Sequence, residues 1–329
     1  MLNVIYAGSP DISATVLQYL ASLASIKIVG VLTNPPSAKG RHKALLPTPV
    51  AKLAHELNIP VLEPEHLKAD SRESIKALHP DILVCFSYGK IFGPKFMSIF
   101  PKGGINLHPS LLPRWRGCAP VSAAILAQDT ETGITIQRIA QKMDTGDILM
   151  QKVIPLKGDE TADSLLQLTA NEGGKMLSDV LCQIDAGKEH AVKQSENGAS
   201  YSELLKKEDG LIDWNESALS ISAKIRAFNP WPGAFTCANG KILRILDAAI
   251  YTGNLDCFDE ENYTKNNAPG TILCADRKKG ILIQCGEGIL VAKKLQWQSK
   301  TAMNWKVFLN GVRNFTGTCC CKPNSKDKK

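Results

Sequence analysis

Between residues 2 and 87 short apolar runs alternate with stretches whose apolar residues recur at helical spacing, and that alternation leaves few folds open. Leu2 to Gly8 reads as a strand ending in a tight turn. Ile12, Val16, Leu17 and Leu20 then predict a helix. A second apolar run over 26–33 predicts a strand, and helices over 49–57 and 70–78 flank a short strand over 60–62. Residues 81–87 read as a strongly buried strand. Strands that alternate with helices pair in parallel, because each crossover helix must cover a sheet face, so the expected fold class is α/β with a doubly wound, mainly parallel, Rossmann-like sheet. Ligands of such sheets bind outside the carboxyl ends of the strands. The first turn, Gly8-Ser9-Pro10-Asp11, lacks the Gly-x-Gly-x-x-Gly spacing that cradles a pyrophosphate, so NAD is not expected.

Residues 103–120 carry the densest chemistry. Asn106 and His108 are two apart after a glycine pair, and in an extended segment that spacing puts both side chains on one face. A carboxamide can donate to an oxyanion, and an imidazole can exchange a proton near neutral pH, which together suit acyl transfer. A lone histidine beside a proline-rich turn is, on physical grounds alone, more often structural. Asp144-Thr145-Gly146 also invites an aspartic protease reading. That chemistry needs two such carboxylates sharing a proton, and the chain has one Asp-Thr-Gly.

Two motifs decide between these readings. Asn-Leu-His-Pro-Ser-Leu-Leu-Pro, beginning at Asn106, resembles the signature of folate-dependent formyltransferases. Met143-Asp144-Thr145-Gly146-Asp147 resembles that family's second, aspartate-bearing motif. The resemblance implies 10-formyltetrahydrofolate as formyl donor, with no metal. It implies that Asn106 donates to the oxyanion, that His108 handles protons or polarises the formyl oxygen, and that Asp144 either orients His108 or orders a relaying water. Ser110, Leu111, Leu112 and Pro113, with the backbone at Phe86, Tyr88 and Gly89, would then line the pteridine slot.

Residues 34–47 form a loop of unusual length for a compact α/β domain, with Lys39, Arg41 and Lys43 at a basic tip. The branch of the family that acts on methionyl-tRNA carries a basic insertion at this place, and Arg41 matches its key arginine. Ala-Phe-Asn-Pro-Trp-Pro-Gly, ending at Gly233, and Ala-Pro-Gly-Thr-Ile-Leu, ending at Leu273, resemble the second domain of that branch, a small antiparallel OB-like barrel. Five short strand-like runs between 234 and 298 agree with such a barrel. The resemblance thus implies initiator methionyl-tRNA and folate as partners, with Lys206 and Lys207 joining the basic loop against the tRNA. Trp214, Trp231 and Trp297 are read as buried barrel aromatics in preference to base-stacking platforms.

Length and charge fit this division. A chain of 329 residues exceeds what one hydrophobic core usually serves. The expected boundaries are a catalytic domain over 1–188, a polar linker over 189–209, a tRNA-binding barrel over 210–315 and a polar tail over 316–329. The net charge of +7 falls entirely beyond residue 204, where 19 basic residues face 12 acidic ones, as a polyanion partner would require. No apolar run is long enough to cross a membrane and the N-terminus lacks a signal-peptide pattern, so a cytoplasmic monomer with reduced thiols is expected. The three adjacent cysteines from Cys319 to Cys321 are read as an exposed feature of the tail. The rival readings are a formyltransferase for a small amine such as a purine ribonucleotide or an amino sugar, a folate-dependent hydrolase releasing formate, and a non-catalytic nucleic-acid-binding protein.

Overall fold

In a computed structural model, which describes residues 1–39, 44–253, 267–276 and 278–323, the chain divides into two compact units. The first comprises Met1–Pro120, Glu131–Pro155 and Ser164–Glu203. Its frame is built from β1 (Leu2–Ala7), β2 (Ile26–Leu32), β3 (Ser37–Lys39), β4 (Ala44–Leu46), β5 (Val61–Leu62), β6 (Ile82–Cys85), β7 (Gly104–His108), β8 (Arg116–Gly117), β9 (Glu131–Arg138), β10 (Ile148–Pro155) and β11 (Tyr201–Ser202). Seven of these form one sheet in the order β10-β9-β7-β6-β1-β2-β5. The pairs from β7 to β5 are parallel, and β9 and β10 return antiparallel. Strand order reverses at β1 and β6, which is where a doubly wound sheet opens its crevice.

Alternation along β1 shows how the sheet is held. Val4 and Tyr6 enter a core shared with Val16, Leu17 and Leu20 of α1 (Asp11–Ala21) and with Leu177 and Val180 of a long helix, Ala162–Asp185. Ile5 and Ala7 enter the opposite core with Ile75, Leu83 and Phe96. A sheet buried on both faces explains why the strands read as continuous apolar runs. The long helix approaches β7 closely: a Cβ on its Gly173 would lie 2.2 Å from Leu107 Cδ1.

Two expectations need correction. Among the described residues of 34–47, β3 and β4 pair antiparallel, Ser37 opposite Leu46 and Lys39 opposite Ala44. The polar stretch over 189–209 is no loose linker either. Val192 pairs with Ile148, and β11 pairs in parallel with β8, so the segment is laid onto the first unit as a strap. Polar composition concealed this because its bonds are backbone ladders and buried amides, which need no apolar residues.

The second unit contains residues 121–130, 156–163 and 204–329. Its strands are β12 (Phe235–Ala238), β13 (Lys241–Ile250), β14 (Ile272–Asp276), β15 (Gly280–Gln284), β16 (Ile289–Trp297) and β17 (Met303–Asn304). They form a curled antiparallel sheet in the order β12-β13-β16-β15-β14, with β17 on β16. Irregularities around Asp247 bend β13. Leu243, Ile245, Ile281 and Ile283 face a core with Ile221 and Ile225 from the helix Ala218–Ala227. Trp214 is buried and donates to Thr236 Oγ1 at 3.0 Å, and Trp297 packs tilted against Phe308, 5.2 Å between ring centres. Trp231 departs from the expectation, being 56% exposed.

The cysteine triplet is also not a free tail. Cys321 exchanges two backbone hydrogen bonds with Cys237 on β12, and Cys320 N–H donates to Gly270 O beside β14. Cys319 pairs with Thr271. The segment therefore satisfies both open edges of the sheet, which unpaired N–H and C=O groups demand. Burial pushes the Cys320 thiol up to about 12, consistent with an inert packed sulfur.

Candidate active site

β7 places Asn106 and His108 on the face away from Leu107, and β9 lines up beside them with Gln137 opposite Asn106 and Thr135 opposite His108. Asp144 follows β9 in a turn whose backbone is left-handed at that residue, φ +52°. The three expected groups meet at one atom. Asp144 Oδ1 accepts from Asn106 Nδ2 at 3.4 Å and lies 3.6 Å from His108 Nδ1. The imidazole's other nitrogen, Nε2, is 2.9 Å from the Trp115 carbonyl. A carbonyl oxygen only accepts, so Nε2 carries a hydrogen, and Nδ1 faces the carboxylate. The His108 side chain is 5% exposed and that of Asp144 12%, so their charges act in a partly dry setting where fixed dipoles count for more.

Asp144 is held from several sides. Gln137 Nε2 donates to Oδ1 at 2.8 Å, and the Gly117 backbone N–H, from β8, donates to Oδ2 at 2.8 Å. Gln194, from the strap, donates through Nε2 to the backbone carbonyls of Asp144 at 2.9 Å and Gly146 at 2.7 Å, and lies 3.3 Å from Gln137 Oε1. Its own carbonyl accepts from Arg116 Nε at 3.1 Å. Arg116 is fully buried, and its terminal nitrogens reach Glu196 and the Tyr201 hydroxyl. Burial of the guanidinium opposes its charge, but the bonds to Glu196 and Tyr201 outweigh that and leave its pKa above the ordinary value.

Residues 1–181 match the formyl transferase family and residues 204–313 match the formyl transferase C-terminal domain. The chain belongs to the formyl transferase family. It is 48% identical to the methionyl-tRNA formyltransferase of Treponema denticola, over 95% of this chain and 98% of that one. It is 41% identical to the methionyl-tRNA formyltransferase of Treponema pallidum, over 94% of this chain and 97% of that one. Among solved structures it resembles WlaRD, a sugar 3N-formyl transferase in the presence of dTDP and 5-N-formyl-THF, with a TM-score of 0.61 and 19% identity over 92% of this chain and 99% of that one.

In this formyl transferase the loop after β7 closes on itself. Ser110 is fully buried, its hydroxyl donates to Arg114 O at 2.7 Å, its carbonyl accepts from Thr135 at 2.7 Å, and its N–H donates to His108 O. These bonds fix the shape of the loop around Ser110. Leu112 is buried and its carbonyl accepts from Gln151 at 2.9 Å. Leu111 packs over Gly133, and Pro113 is half-buried.

At the end of β6, the Phe86 and Tyr88 side chains point into opposite cores, so only their backbone can face a ligand. The chain there is left-handed at Ser87, φ +54°, and at Gly89, φ +82°. A side chain at Gly89 would project into open space, which leaves room for a flat ring beside the strand end. The Tyr88 carbonyl accepts from Asn34 Nδ2 at 2.9 Å, bracing this turn against the end of β2. The structure brings Asn106, His108 and Asp144 together, and Lys206 and Lys207 are exposed residues of the second unit. Lys39 ends β3, while Arg41 and Lys43 lie outside the described residues.

Sequence reasoning missed Gln137, Gln194, Arg116 and the Gly117 N–H. One signal was available for Gln137. In β9 the apolar Ile134 and Ile136 alternate with Thr135 and Gln137, yet all four are buried, so its polar face is an interior one.

Proposed function

We propose that this formyl transferase moves the formyl group of 10-formyltetrahydrofolate to the α-amino group of initiator methionyl-tRNA, giving N-formylmethionyl-tRNA for translation initiation. The observation that carries the reading is the meeting of Asn106 and His108 at Asp144 Oδ1, in a chain matched end to end by methionyl-tRNA formyltransferases. The donor set suits the reaction. One N–H of Asn106 leans on Asp144 and the other has no partner among the described residues, so it is available to an oxyanion at the formyl carbon. The attacking nitrogen loses protons as the folate nitrogen gains one, and His108 Nδ1 beside Asp144 is the local proton site. The pterin is flat with donors and acceptors along its edge, which fits the space beside Gly89 and the exposed backbone there.

What supports a tRNA as the amine acceptor is the nearly full-length match to methionyl-tRNA formyltransferases, and the positive charge beyond residue 204 suits a polyanion. Lys39, Arg41, Lys43, Lys206 and Lys207 would meet its phosphates, positioning it without reading sequence. The protein would act as a cytoplasmic monomer; among the described residues no helix is long and apolar enough to cross a membrane. The test is transfer of label from formyl-labelled 10-formyltetrahydrofolate to charged initiator tRNA, with free methionine and an amino sugar as competing acceptors. Label should accumulate on the tRNA. Label on the small amines alone would transfer the assignment to them, and label released as formate would favour hydrolysis.

A further inference from the structure

We propose that Gln194 is a positioning residue for formyl transfer, through which the strap over 192–202 sets the place of the Asp144 carboxylate. The inference rests on the functional reading above and adds a residue from a segment whose composition suggests only a tether. Three observations carry it. Gln194 is 8% exposed and its amide hydrogens face three acceptors, the carbonyls of Asp144 and Gly146 and the side chain of Gln137. Gln137 itself donates to the reactive Oδ1, so one amide grips the carboxylate's own backbone and its side-chain partner together. The Asp144 backbone is left-handed, φ +52°, in the turn whose carbonyls at Asp144 and Gly146 Gln194 holds.

The rest of the strap fixes Gln194 in turn. Arg116 Nε holds its carbonyl at 3.1 Å, which decides the orientation of the amide, and Glu196 and Tyr201 of the same strap hold the guanidinium. β11 pairs with β8, whose Gly117 N–H donates to Asp144 Oδ2. Both oxygens of the carboxylate are thus set by groups that the strap places. A shift of about 1 Å in a group that manages protons costs on the order of 100-fold in rate, whereas substrate affinity does not depend on it.

Two variants test this. Gln194→Met removes the amide at similar size. Gln194→Glu keeps the acceptor for Arg116 and loses the donors, so it retains the strap while releasing Asp144. Both should lower kcat by about 10-fold to 100-fold, with KM for tRNA and folate and the melting temperature little changed. The decisive measurement repeats Gln194→Glu in an Asp144→Ala background, where its effect should vanish, because a residue acting through Asp144 has nothing left to position. Activity of Gln194→Glu within about twofold of wild type, or an undiminished loss on top of Asp144→Ala, would overturn the inference. So would failure of both variants to fold, which would make the role purely structural. A wild-type protein that formylates no methionyl-tRNA would instead remove the functional reading, and this inference with it.

Discussion

Asp144 Oδ1 receives Gln137 and Asn106 and faces His108 Nδ1, so a single oxygen ties the proposed oxyanion donor to the proposed proton carrier. Each of those side chains can be removed separately, and the losses differ in kind. Asn106→Ala takes away a fixed donor that matters as charge develops on the formyl oxygen, so kcat should fall on the order of 100-fold to 1,000-fold with KM for folate unchanged. Steady-state kinetics on labelled folate checks this, and a rise in KM with kcat intact would mean that Asn106 only binds. Asn106, His108 and Asp144 were legible because motif and spacing carry them. Gln137, Gln194 and Arg116 were not, since Gln194 joins Gln137 across 57 positions and Arg116 across 78, separations that no periodicity encodes. The bonds that fix Ser110, to Arg114 in its own loop and to Thr135 on β9, were likewise invisible to the motif.

Elements divide the work between holding the site and closing the barrel. The parallel strands were legible from their apolar runs, but the pairing of β3 and β4 was not, because its exposed Leu45 and Leu46 carry no burial pattern. The C-terminal strip over 317–321 was hidden for a related reason: its contribution is backbone pairing to β12 and β14 across the sheet's two edges. Deleting residues 316–329 should leave those edges open and lower the melting temperature by roughly 5 °C or more, read by calorimetry, at about 1 kcal/mol net per lost bond. An unchanged melting temperature would mean the strip is a passenger. Gly270 sits at φ +90°, and a Cβ there would lie 2.4 Å from Cys320 O, so Gly270→Ala should destabilise in the same direction by about 1 kcal/mol or more.

At the scale of the whole molecule, Asn106, His108 and Asp144 lie in the first unit and the surplus of positive charge lies beyond residue 204. Affinity for tRNA should therefore fall steeply with added salt while affinity for folate does not, as titrations between about 50 and 200 mM salt would read. Arg41→Ala should lower turnover of tRNA and leave folate binding unchanged; equal loss of both would make the basic tip structural. All of this depends on one carboxylate gathering an amide and an imidazole around a formyl carbon. Single-turnover transfer from labelled 10-formyltetrahydrofolate to methionyl-tRNA by Asp144→Ala, with both substrates saturating, tests that most directly. The account predicts a chemical step slowed by about 1,000-fold or more with both substrates still bound. A chemical step at the wild-type rate would contradict it.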